Sequence, residues 1–94
     1  MEDMQRRRRS RLETMNVILK LSTNGCKKTH IMYQANLSHS QLIKYLRILK
    51  QRRLIKESIK SYVTTKVGRE FIKKFQEIQN LMGESLNDVR RVIT

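Results

Sequence analysis

The chain has no proline, three scattered glycines, one cysteine and few acidic residues, and each scarcity removes a class of protein. A lone Cys26 forms no internal disulfide, which fits a reducing compartment. With only His30 and His39 as further soft ligands, no metal-binding spacing exists, and no cofactor is expected. Isolated glycines give no phosphate-cradling loop, and no paired acid and base or nucleophile with its base is visible, so enzyme chemistry is not expected. No apolar run approaches the ~20 residues of a membrane span, and no signal-peptide core follows the first residues. The expectation is a soluble, cytoplasmic chain with no small-molecule ligand.

What is present is positive charge. Ninety-four residues carry a formal +13, with 38% hydrophobic residues, enough for one small core. Such a field favours a polyanion. The excess is uneven. Residues 38–60 hold seven Lys or Arg against the single Glu57, a net excess of six where residues 1–11 have three. Arg6, Arg7, Arg8 and Arg9 repel one another without apolar partners, so residues 1–9 read as a flexible basic arm.

Periodicity divides the remainder. Leu12, Met15, Ile18, Leu19 and Ser22 recur at helical spacing from Ser10, predicting a first helix that ends near Asn24-Gly25. Cys26-Lys27-Lys28 is a connector or a minimal strand. Thr29 is a candidate cap for a second helix with Ile31, Met32 and Ala35 inward. Ser38-x-x-Gln41 is a capping box for a third helix running to about Arg52, and Leu37 can staple onto Leu42. At 100° per residue Leu42, Leu46 and Leu49 share a face within about 60°, while Ser40, Lys44, Arg47 and Gln51 fall opposite. Tyr33 and Tyr45 are expected to pack between helices.

Residues 54–58 and 62–64 are strand-like and flank a hairpin tip at Ile59-Lys60-Ser61, leaving Tyr62 as a wing-packing candidate. Thr65 opens a last helix in which Phe71, Phe75, Ile78, Met82, Ser85, Val89 and Val92 follow heptad spacing. Unbroken over 66–92 it would span roughly 40 Å. Gly83 interrupts it, so a kink or an early end there is an open alternative.

Helix, tetrapeptide turn, helix and hairpin is the winged helix-turn-helix order. The segments KKTHIMYQANLSHSQLIKYLRILKQRRLIKE and YVTTKVGREFIKKF resemble the small archaeal winged-helix DNA-binding proteins, over about Arg9 to Met82. The most specific matches are Thr29–Tyr33, Ala35–Ser38, Tyr45-Leu46 and Thr65-x-x-Gly68-Arg69-Glu70-Phe71. Arg52-Arg53-Leu54 departs from the Lys-Gly-Leu ending usual there, which puts Arg53 in an unfavourable turn conformation. The Arg6–Arg9 cluster is also denser than the family's pattern.

The resemblance implies a mainly α fold with a small β-hairpin: a winged helix-turn-helix plus a long C-terminal helix that pairs as an antiparallel coiled coil. The divisions are 1–9, 10–65 and 66–94, with Phe71, Phe75, Ile78, Met82 and Val89 at a homodimer seam; packing of that stripe within one protomer is the alternative. Double-stranded DNA is the expected partner. Ser38, His39, Ser40, Gln41, Lys44, Arg47 and Gln51 would face it from helix 3, Lys56 and Lys60 from the wing, and Arg6 to Arg9 from the arm. His39 is either a reader or a plain surface residue, and Gln41 either reads a base or serves only the cap. The varied polar set on helix 3 tilts the expectation toward a sequence-specific transcription regulator of an archaeon or archaeal genetic element. An architectural chromatin protein and a module docking an acidic protein partner are the rivals.

Overall fold

The computed structural model describes residues 9–82. Three helices come first: α1 (Arg11–Leu21), α2 (Lys28–Ala35) and α3 (His39–Gln51). A hairpin of β1 (Ile55–Glu57) and β2 (Tyr62–Thr64) follows, and α4 (Lys66–Leu81) closes the order.

Both long N-terminal helices start in reciprocal caps. The Ser10 hydroxyl accepts from the Glu13 N–H while the Glu13 carboxylate accepts from the Ser10 N–H, and Ser38 and Gln41 repeat the arrangement on α3. The Ser38 box is as the sequence predicts. Helix α1 ends earlier than Asn24. The Ser22 carbonyl accepts from Gly25 and from Thr64 of β2, which draws the chain out of the helix toward the sheet. Thr29 does not cap α2. Lys27 holds the extended cap position, and its carbonyl already accepts the Ile31 N–H, so the first turn is wound before Thr29 can act.

The α2–α3 turn needs neither glycine nor proline because Asn36 takes the left-handed conformation, at φ 57°. The Leu37 N–H donates to the Met32 carbonyl at 3.0 Å and the Asn36 N–H to Tyr33 at 3.2 Å, a Schellman closure. Helix α3 ends the same way around Arg53, at φ 61°, with the Leu54 N–H on the Leu49 carbonyl. A side chain with a Cβ thus occupies a position that favours glycine, as the departure from the family's pattern implies.

Ile18, Leu19, Ile31, Leu42, Leu46, Leu49, Ile55 and Tyr62 form the core, with Met15, Met32, Leu37 and Tyr45 packed at its edge. The hairpin pairs Ile55 with Thr64 and Glu57 with Tyr62. Cys26 adds a one-residue third strand, exchanging both backbone hydrogen bonds with Tyr62. The Thr64 hydroxyl donates to the Leu19 carbonyl at 2.6 Å, fixing the wing to α1.

Helix α4 is seated by one close approach. A Cβ on Gly68 would collide with the Leu54 carbonyl oxygen and the Thr64 methyl group, so only glycine lets the helix lie against the base of the hairpin. The Thr65 hydroxyl caps it, accepting from the Gly68 N–H. The expectation of a long coiled-coil helix needs correction. The described helix has 16 residues, about 24 Å, and no long coiled coil is evident among the described residues. Gly83, Ser85, Val89 and Val92 lie outside them.

Candidate nucleic-acid interface

Helix α3 separates its faces cleanly. Leu42 and Leu49 are fully buried and Leu46 nearly so, which leaves His39, Ser40, Lys44, Arg47 and Gln51 exposed on the other side. Arg52, Arg53, Lys56 and Lys60 continue the exposed cationic surface from the end of the helix into the wing. At the hairpin tip the Ser58 N–H donates to the Ser61 carbonyl at 2.7 Å, so Ile59 and Lys60 project into solvent.

The predicted residues are not equally free. Ser38 and Gln41 hold one another in the cap, at 3.2 Å and 2.9 Å. That occupies the Gln41 carbonyl oxygen, so a bidentate pairing of Gln41 with a base would have to give up half of the cap. Arg9 is also not part of an unpartnered arm. Its Nη1 donates to the Ala35 carbonyl at 2.6 Å, a cation on the negative C-terminal end of α2. Arg6, Arg7 and Arg8 lie outside the described residues.

Tyr33 was expected to pack between helices, and instead it is 78% exposed. It sits 200° around α2 from Ile31, opposite the Ile31/Ala35 face, so periodicity alone would have placed it outward. Lys50 carries a second omission. Its Nζ lies 2.9 Å from the Glu57 carboxylate, tying the end of α3 to β1. The Lys50 hydrogen bond and charge hold Glu57 below the ordinary carboxylate range, with smaller help from the Tyr62 hydroxyl and Lys28. The Lys50 ammonium is raised in turn, chiefly by the same bond. Burial, then the neighbouring Glu57 charge, pushes the Tyr62 phenol up. A cleft of about 330 Å³ lies between α3 and the wing, lined by Ile43, Leu46, Arg47, Lys50, Gln51 and Tyr62.

A second surface lies on α4. Leu12, Leu54, Val67, Phe71, Phe75 and Ile78 line an apolar groove of about 360 Å³ flanked by Glu70 and Lys74. The Phe71 and Phe75 rings stack with centroids 6.2 Å apart. Phe71 also packs against the core from one side, so it serves the protomer as well as the predicted seam. Ile78 and Met82 are exposed. Among the described residues no helix is long and apolar enough to cross a membrane, and no cluster of His, Cys, Asp or Glu could hold a metal ion.

A winged helix-turn-helix family model matches residues 8–83, which takes in the whole described fold, and the chain belongs to that family. No curated protein matches it.

Proposed function

We propose that the protein binds double-stranded DNA as a homodimer and regulates transcription from selected sites, with α3 in the major groove. The supporting observation is the exposed face of α3: Lys44 and Arg47, with Ser40 and Gln51 beside them, stand opposite a buried leucine stripe and next to a cationic wing. A major groove admits a helix of this kind, and Lys and Arg donate to guanine while Gln pairs with adenine. Lys56 and Lys60 on the wing, and Arg6 to Arg8, are phosphate anchors in this reading.

The groove on α4 supports the homodimer. Phe75, Ile78 and Met82 continue an apolar face that soluble chains seldom leave open, and a second copy would cover it. Antiparallel pairing rests on the resemblance to the archaeal winged-helix proteins. Two linked protomers would set two recognition helices on successive half-sites.

The architectural alternative draws support from the cap. With Ser38 and Gln41 engaged there, fewer side chains remain to read bases. Selection of bound duplexes from a random pool, followed by competition against random duplex at one stated salt concentration, tests the choice. A recovered site preferred by about 10³-fold or more supports regulation. Equal affinity for all duplexes supports the architectural role, and no binding at physiological salt removes both.

A further inference from the structure

Glu57 is the only carboxylate between Glu13 and Glu70, and it stands on the wing amid the seven lysines and arginines of residues 38–60. A stray acid at a polyanion-binding surface opposes binding, so its position calls for a physical role. It sits at the end of β1, paired across the hairpin with Tyr62. Its Oε1 takes the Lys50 ammonium at 2.9 Å, and both side chains remain about half exposed. Lys50 lies on the flank of α3 that faces the wing, in the cleft it shares with Arg47 and Gln51. It is exposed, as Lys44 and Arg47 are, yet its ammonium is turned back onto the wing carboxylate.

We infer that Glu57 is a positioning residue that withholds Lys50 from the phosphate backbone and so limits the sequence-independent part of DNA affinity. The inference rests on the DNA-binding reading above. An ion pair that joins Lys50 to the wing removes one cation from the set available to phosphates, and the carboxylate repels the phosphate nearest it. Each phosphate neutralised by a free cation adds about 0.9 to the slope of log affinity against log salt, so the withheld contact is countable. A chain with so large a cationic excess gains selectivity from such restraint, because unspecific binding to bulk DNA competes with any chosen site.

The test compares wild type with Glu57→Gln, Lys50→Gln and the double variant, titrating a random duplex at several salt concentrations. Glu57→Gln should bind several-fold more tightly and steepen the slope by about one unit. Lys50→Gln alone should leave the slope unchanged, and the double variant should return to the wild-type slope. No steepening in Glu57→Gln overturns the inference. So does steepening that persists in the double variant, since the gain would then not run through Lys50. In the free protein, the Glu57 carboxyl followed by NMR should titrate low and return to the ordinary range in Lys50→Gln. A Glu57 titration indifferent to Lys50 overturns the pairing without reference to DNA. A wild type that binds no duplex at low salt, with the NMR result intact, would instead locate the failure in the DNA-binding reading and remove the inference with it.

Discussion

Helices α3 and α4 carry equally legible apolar stripes and put them to opposite ends. On α3, Leu42, Leu46 and Leu49 vanish into the core, and the helix turns its cations outward. On α4 only Gly68 is buried, and Ile78 remains 55% exposed. The difference follows from where each helix is anchored. Helix α3 packs on β1 and carries its leucines into the core, whereas α4 lies against α1 and the base of the hairpin, with Gly68, Phe71 and Ile72 turned inward and Ile78 left open. A stripe therefore shows which face avoids water and does not show what covers it.

Truncations should expose this asymmetry. Leu49→Ala on α3 should cost about 3 kcal/mol, within the range for emptying a packed leucine site, read by urea unfolding. Ile78→Ala on α4, measured at concentrations where the chain is monomeric, should stay within about 0.5 kcal/mol of wild type. Similar losses at both sites would erase the distinction. Gly68→Ala should come next, at about 2 kcal/mol, because the new methyl group meets backbone that cannot yield easily. Its loss should fall mainly on α4, visible as faster amide exchange there than in α3.

Changing Phe75 and Ile78 together to Glu should convert a sedimenting dimer to a monomer and weaken DNA binding, as one linked contact replaces two. A wild type that sediments as a monomer at roughly tens of micromolar would remove the seam. Arg53→Gly should raise stability by roughly 0.5–1 kcal/mol, relieving the left-handed backbone less the entropy that glycine adds to the unfolded chain. The smallest effect concerns pH. Glu57 titrates low in the folded chain, so its contribution is present above the ordinary glutamate value of about 4.3 and fades as pH falls through the lower folded value. Glu57→Gln should lack that part of the acid sensitivity in a melting series.

The parts legible in the sequence were those governed by near neighbours. The Ser38–Gln41 box, the leucine face of α3, the hairpin and the unfavourable turn at Arg53 all depend on residues a few positions apart. The misplacements arose where distant segments decide. Thr64 of β2 pulls Ser22 and shortens α1, and the Cys26–Tyr62 pairing fixes the entry to α2 at Lys27 instead of Thr29. Arg9 finds Ala35 across 26 positions, and Lys50 finds Glu57 across the turn into the wing, partnerships that no periodicity encodes. Tyr33 is different in kind, since its outward angle was available from spacing alone.

The central claim is that the outward face of α3 meets DNA, and Lys44 and Arg47 carry it. Both are exposed, opposite the buried stripe, so Lys44→Ala with Arg47→Ala should leave the melting temperature unchanged. Binding of a duplex recovered by selection, titrated from low to physiological salt, is the direct measurement. The account predicts affinity lower by about 2–6 kcal/mol in total if both read bases, or a salt slope reduced by about two units if both touch phosphate. Wild-type affinity and slope in the folded double variant would contradict it.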